Sequence, residues 1–214
     1  MISEVIFHHP FTCMIAGPSK SGKTTLLHGI LKSNSKLIDK PPQRIVYCFS
    51  RWQPAYDRLK TTINDIEFKE GLPDIDNFKT ETINMIILDD LMHECGKDQS
   101  VMNIFTVDSH HKNISVFFLT QNLFPREKFA RTISLNCNNI IIMDNARDRS
   151  QINHLARQMF PSNPNFLVEC YQDAIKSFRY GYIFLDFTQN IDEAHRVQTR
   201  ILPSDTRIIY EMKK

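Results

Sequence analysis

Glycine is scarce in this chain, 6 residues in 214, and no two of the six are adjacent. A glycine-dependent pattern therefore stands out against the chain's own composition. No stretch approaches the ~20 consecutive apolar residues that span a bilayer. Met1-Ile2-Ser3-Glu4 places no basic segment ahead of an apolar run, so the expectation is a soluble, non-secreted protein with no membrane partner. The five cysteines (Cys13, Cys48, Cys95, Cys137, Cys170) are odd in number and widely spaced. They read as reduced core thiols of a cytosolic or nuclear protein, most of them in apolar runs such as Ile45-Val46-Tyr47-Cys48-Phe49. Neither His93-Glu94-Cys95 nor the pair His110-His111 has zinc spacing, and both read as solvated loop or helix-end histidines. An excess of one charge is also missing: 26 basic against 24 acidic residues leave a net +2. Any nucleic acid would have to be gripped by a local patch.

What is present is ordinary globular composition, 42% hydrophobic and 23% charged, in a length that fits one α/β domain over residues 1–214. Short apolar runs rich in β-branched or aromatic residues alternate with helical patterns, the signature of a mainly parallel sheet covered on both faces by helices. The strands are predicted at Phe11 to Ala16, Arg44 to Phe49, Met85 to Leu88, Ser115 to Thr120 and Ile140 to Met143, with an additional one over Tyr180 to Phe187. Their near-continuous hydrophobicity predicts burial on both faces. Lys23 to Leu31 and Arg147 to Met159 carry apolar stripes at helical spacing and are predicted as crossover helices. Beyond Asn190 no period is legible.

Two of the glycines, five positions apart, occupy the first and sixth sites of one eight-residue pattern. Gly17-Pro18-Ser19-Lys20-Ser21-Gly22-Lys23-Thr24 matches GxxxxGK[ST] in full, between an apolar strand and an amphipathic helix. Glycine permits the backbone conformations that let successive N–H groups converge on phosphate oxygens, and the helix that follows offers its positive end. On this reading Lys23 bridges the terminal phosphates of ATP, Thr24 binds Mg2+, and Thr25 extends the nucleotide-binding set.

A metal strand follows. Asn84-Met85-Ile86-Ile87-Leu88-Asp89-Asp90 delivers two adjacent carboxylates to a strand end. Asp89 is the predicted metal residue and Asp90 the predicted general base for an attacking water. The next strand ends Thr120-Gln121-Asn122, where a polar residue positions water against the γ-phosphate, and Gln121 fits that role better than Asn122. Arg126, Arg131, Arg147 and Arg149 follow the last two core strands; each reads as a surface residue, salt-bridge partner, DNA contact or trans-acting arginine finger. Lys97, Lys112, Lys128 and Arg131 are candidate backbone grips for DNA. The aromatic-basic clusters Arg51-Trp52 and Phe178-Arg179-Tyr180 are expected to be core packing with snorkelling arginines rather than base-stacking platforms.

With these segments in place, the chain resembles the viral genome-packaging ATPases of the FtsK/HerA superfamily, most of all the poxvirus-type enzymes and their relatives in adenovirus-like and Polinton-like elements. The resemblance rests on Tyr47-Cys48-Phe49-Ser50-Arg51-Trp52-Gln53-Pro54, Thr120-Gln121-Asn122-Leu123-Phe124, Arg131-Thr132-Ile133-Ser134-Leu135-Asn136 and Asn145-Ala146-Arg147-Asp148-Arg149-Ser150-Gln151-Ile152. It implies a RecA-like, additional-strand P-loop core, a homo-oligomeric ring, and ATP-driven movement of double-stranded DNA into a preformed capsid. Capsid proteins would then be partners, and the location the host nucleus, a cytoplasmic virus factory or the virion. Position 90 departs from the pattern, since many ring ATPases of this superfamily use Glu there. The chain also ends soon after the core, so no nuclease activity is carried over.

Other classes fit less well. A GTPase needs an NKxD segment after a late strand, where this chain has Asn145-Ala146-Arg147-Asp148. An ABC-type ATPase needs a signature with paired glycines. A nucleotide kinase with Arg147 and Arg149 on a lid, and a nucleotide-gated scaffold of low turnover, remain as alternatives.

Overall fold

A computed structural model describes residues 5–91, 98–125, 127–189 and 191–212, the side chain of His110 excepted. His93-Glu94-Cys95, Lys97 and Arg126 lie outside the described residues. The strands are β1 (Thr12–Ala16), β2 (Arg44–Phe49), β3 (Ile66–Glu70), β4 (Asn84–Asp89), β5 (Ile114–Thr120), β6 (Asn139–Met143), β7 (Tyr182–Asp186), β8 (Val197–Thr199) and β9 (Ile208–Ile209). They form one sheet in the order β3-β2-β4-β5-β1-β6-β7-β8-β9. From β3 to β6 every pairing is parallel, and β7, β8 and β9 are added antiparallel. The main helices are α1 (Lys23–Lys32), α2 (Asn34–Leu37) and α3 (Pro54–Thr62). A helix of mixed type, α4, begins at Gln99–Asn103, widens to π-helical geometry over Ile104–Asp108 and closes at Ser109–His111. Then come α5 (Ala130–Leu135), α6 (Ser150–Met159) and α7 (Pro164–Lys176).

The three layers follow from strand alternation. On β4, Met85 and Ile87 pack with Ile45 and Tyr47 of β2 against Leu26, Leu27, Ile30 and Leu31 of α1 and Tyr56 and Leu59 of α3. The alternate residues Ile86 and Leu88 pack with Val46 and Cys48 against Ile104 of α4, Ile133 of α5, Leu155 of α6 and Leu167 of α7. Every residue of β1, β4, β5, β6 and β7 is buried, as strands covered on both faces must be. Cys13, Cys48, Cys137 and Cys170 are free and buried in these two cores.

Three expectations need correction. The helix predicted from Arg147 starts at Ser150, because Asn145 Oδ1 accepts from the amides of Arg147 and Asp148 and holds them in a turn. Only α1 of the two predicted crossover helices links parallel strands; α6 passes into α7, and the chain returns antiparallel as β7. The final strand predicted over Tyr180 to Phe187 is Tyr182–Asp186, shorter than predicted, because Tyr180 has φ of 61° and lies in the preceding turn. No helix among the described residues is long and apolar enough to cross a membrane.

Candidate functional site

Register alone brings the predicted site residues to one edge of the sheet. Ala16 of β1 is level with Thr120 of β5, and Asp89 of β4 is level with Leu119. Gly17, Asp90 and Gln121 therefore leave three adjacent strands at the same height. Because β5 lies between β1 and β4, Gln121 stands between the phosphate loop and the acidic pair. Ser19, Lys20, Gly22, Lys23, Thr24, Thr25, Asp89, Asp90 and Gln121 all line one cleft of about 580 Å³, joined by Gln53 and Tyr180.

The loop is held by its own backbone. Gly17 N–H donates to the carbonyl of Thr120 at 3.0 Å, and Ser21 N–H to that of Pro18 at 3.2 Å. Lys20 and Gly22 adopt left-handed conformations, φ 66° and 101°, the alternation that gathers amides into an anion-binding concavity. Gly17 has no room for a side chain, since a Cβ there would come within 2.6 Å of the Met143 Cβ and 2.8 Å of the Ser21 hydroxyl. That hydroxyl is buried and, among the described residues, has no hydrogen-bond partner. Gly22 is the residue before α1 and brings no side-chain cap, leaving the first-turn amides of the helix as anion donors. The ammonium of Lys23 donates to the carbonyls of Gly17 at 2.7 Å and Pro18 at 3.0 Å. Burial pulls its pKa down, and the charges of Asp89 and Asp90 pull it back up.

Asp89 and Asp90 are adjacent yet occupy unlike environments. Asp89 shares the strand face of Met85 and Ile87 and is buried beneath α3. Its Oδ2 accepts from the Tyr47 hydroxyl at 2.5 Å and the Tyr56 hydroxyl at 2.9 Å. Burial raises its pKa above the ordinary carboxylate value, while the two phenols and Lys23 act to lower it. Asp90 turns out of the strand with φ of 56° and is exposed. Its Oδ1 accepts from Gln121 Nε2 at 3.1 Å. Asn122 is committed elsewhere, its Oδ1 accepting from the Phe124 amide at 3.1 Å.

The donor set fits magnesium. Thr24 and Asp89 offer hard oxygen ligands in the same cleft, and no group of three or more His, Cys, Asp or Glu among the described residues builds a protein-only cage. Magnesium is usually held by one or two such ligands together with phosphate oxygens and water.

Tyr47 and Tyr56 are residues that sequence reasoning missed. Both phenols fall on Oδ2, so they orient the carboxylate without engaging Oδ1. The Tyr47→Phe/Tyr56→Phe double variant is expected to raise the Mg2+ concentration needed for nucleotide binding by about 10- to 100-fold. Metal-free nucleotide binding should be unchanged. Calorimetric titrations with and without Mg2+ check this, and equal losses in both would mean that the pair supports only the fold.

The remaining candidates are dispersed. Arg147 and Arg149 are exposed on the turn after β6, at the cleft end of the sheet. Gln151 ties that turn to the neighbouring loop, accepting from Leu123 N–H at 2.8 Å and donating to Asp148 Oδ2 at 2.8 Å. Lys112 precedes β5 at the opposite end of the sheet, where it pairs with Asp76 at 3.0 Å. Lys128 lies over the Phe129 ring, and Arg131 is exposed on α5. The expected core packing of the aromatic-basic clusters holds in part: Trp52 packs its ring against Phe49, Tyr56 and Phe68 while 45% exposed, whereas Tyr180, 41% exposed, lies in the cleft instead of the core. Phe178 does pack, against Tyr182 and under Arg200.

A mainly parallel sheet with the phosphate loop after β1, an acidic pair at the end of β4 and a strand inserted between them defines the P-loop NTPase fold of the additional-strand type. Solved structures share it over nearly the whole chain. The DNA-packaging ATPase B204 from Sulfolobus turreted icosahedral virus superposes with a TM-score of 0.56 at 12% identity, covering 96% of this chain and 99% of that one. The genome packaging NTPase B204 from Sulfolobus turreted icosahedral virus 2 does so in complex with AMPPCP, at TM-score 0.54, 12% identity and coverage of 94% and 97%. Its complex with ATP-γS gives TM-score 0.54, 10% identity and the same coverage, 94% and 97%. At these identities the likeness is one of fold. By sequence the chain matches no protein-family model, and no curated protein matches it.

Proposed function

We propose that this chain is a magnesium-dependent ATPase that moves double-stranded DNA as a homo-oligomeric ring, packaging a viral genome into a preformed capsid. The observation that carries the hydrolytic part is the pairing of Asp90 with Gln121 at the open end of a cleft whose floor is the phosphate loop. A carboxylate beside an amide, facing the place where a γ-phosphate would lie, suits activation of water better than transfer to a second substrate. The loop amides and Lys23 bind the phosphates and stabilise charge as it develops on the γ-phosphoryl group. Magnesium held by Thr24 and Asp89 would neutralise phosphate charge. Asp90 accepts the proton of the water that Gln121 orients.

The DNA-moving part is supported by the whole-chain likeness to B204 together with the FtsK/HerA resemblance of the Gln121 and Asn145–Ile152 segments. On that reading the enzyme is of the poxvirus type, is one domain across 1–214, and works inside the infected cell beside capsid proteins. The test is ATP hydrolysis with and without duplex DNA, with particle mass measured in the presence of AMPPCP and DNA. A motor is expected to hydrolyse faster with duplex DNA, to lose that stimulation as salt rises, and to give a mass several times that of one chain. A monomer whose hydrolysis is indifferent to DNA would sink the motor reading and favour a scaffold.

A further inference from the structure

Tyr180 is a large aromatic residue in a place that folding does not explain. It lies in the loop between α7 and β7, 41% exposed, with φ of 61°. The left-handed region is unfavourable for any residue with a side chain, and a bulky ring gains little there from partial burial. The loop is nevertheless pinned on both sides. Phe178 is packed before it, and Gly181 after it touches the end of α7 so closely that a Cβ would come within 2.6 Å of the Ala174 carbonyl and the Ile175 Cα. So anchored, the chain presents the ring to the cleft rather than to the core.

Its position there is specific. The ring rests on the phosphate loop at Gly22, where a Cβ would meet Tyr180 Cγ at 2.7 Å and Cδ1 at 2.9 Å. The absence of a side chain at Gly22 thus serves two ends: the left-handed backbone of the loop and the seat of the ring. The Arg179 guanidinium lies 5.1 Å from the ring centroid, making one stacked aromatic-cation unit at the rim of the cleft. Thr25, three residues on from Gly22, lines the same cleft. Gly22, Thr25 and Tyr180 line one cleft, so the ring borders the space that a nucleotide with its phosphates on the loop would occupy.

We infer that Tyr180, backed by Arg179, is the platform on which the nucleobase stacks, and that it favours the larger purine face over a pyrimidine. This rests on the nucleotide reading of the cleft and adds to it a base subsite that the phosphate-loop motif does not contain. Stacking is tolerant of base identity, so the subsite separates purines from pyrimidines rather than adenine from guanine.

The test is equilibrium binding to the full chain of ATP, GTP, CTP, UTP and inorganic tripolyphosphate, each with Mg2+. The wild-type chain should bind ATP and GTP more tightly than CTP and UTP, and tripolyphosphate more weakly still. Tyr180→Ala should weaken ATP by about 10- to 100-fold, flatten the purine preference and leave tripolyphosphate unchanged. Tyr180→Phe should bind as wild type. Tyr180→Gly relieves the left-handed backbone, so it should share the affinity loss while unfolding at no lower a temperature. Unchanged ATP affinity in Tyr180→Ala and Tyr180→Gly, or parallel loss of ATP and tripolyphosphate, overturns the subsite alone. A wild-type chain that binds neither ATP nor tripolyphosphate overturns the nucleotide reading itself, and the subsite with it.

Discussion

Lys23→Ala is expected to lower ATP hydrolysis by on the order of 10²–10³-fold, the loss seen when one preorganised donor to developing charge is removed. Lys23 opens α1, and its ammonium is fixed between two loop carbonyls, Gly17 at 2.7 Å and Pro18 at 3.0 Å. The ion is therefore held at the loop before any phosphate arrives, and its hydrogen bonds are redirected from the carbonyls to phosphate oxygens when one binds. The stem is only half-buried, and truncation removes little packing, so stability should change by about 1 kcal/mol or less. Lys23→Arg is not a conservative rescue. A planar fork cannot occupy the space between the Gly17 and Pro18 carbonyls as a compact ammonium does. Single-turnover hydrolysis together with thermal unfolding checks both halves of the statement. Turnover within tenfold of wild type would remove Lys23 from the machinery, and a large fall in unfolding temperature would make its role structural.

Much of this site was legible in the sequence, for a physical reason. A strand buried on both faces must be apolar at every position, so Met85 to Leu88 and Ser115 to Thr120 announce themselves, and the polar residues that end them are at once visible as sheet-edge groups. Parity on β4 also puts Asp89 on the face of Met85 and Ile87, toward α1 and α3. What parity cannot supply is the partner across the sheet. Tyr47 and Tyr56 lie 42 and 33 residues before Asp89, and only the register Phe49↔Asp89 brings β2 and the helix after it to that carboxylate.

The missed elements have their own causes. β3 is an edge strand whose Glu67, Lys69 and Glu70 leave it partly exposed along its length, so it lacks the apolar run on which the other strands were recognised. α7 did carry a signal, Pro164 at its first turn and Leu167, Cys170, Tyr171 and Ala174 at helical spacing. β8 and β9 are three and two residues long, too short for any period to emerge. Tyr180 was misplaced because an aromatic beside an arginine reads as core composition, and a positive φ leaves no trace in the residue's identity.

Asp90→Asn should abolish hydrolysis while leaving ATP bound, a fall of on the order of 10²–10⁴-fold if the carboxylate is the general base. The substitution is a clean one. Asn tolerates the left-handed backbone that Asp90 adopts at φ 56°, and its side-chain carbonyl can still accept the hydrogen bond that Gln121 donates to Asp90 at 3.1 Å. Geometry is retained and only the basic oxygen is lost. Asp89→Asn would differ in kind, because Oδ2 of that residue faces two phenols in the core and its loss should reach metal binding as well as rate. The contrast separates the two acids: unchanged ATP affinity with no turnover at position 90, weakened Mg2+-dependent affinity at position 89. Asp90→Glu bears on the departure from the glutamate common in ring ATPases. It keeps a carboxylate but extends it by about 1.5 Å, one carbon–carbon bond, so it should hydrolyse measurably where Asp90→Asn does not. Rapid-quench turnover with saturating ATP, alongside binding isotherms, distinguishes these outcomes. An Asp90→Asn protein turning over within tenfold of wild type would show that Gln121 and the phosphate loop activate the water without a carboxylate base.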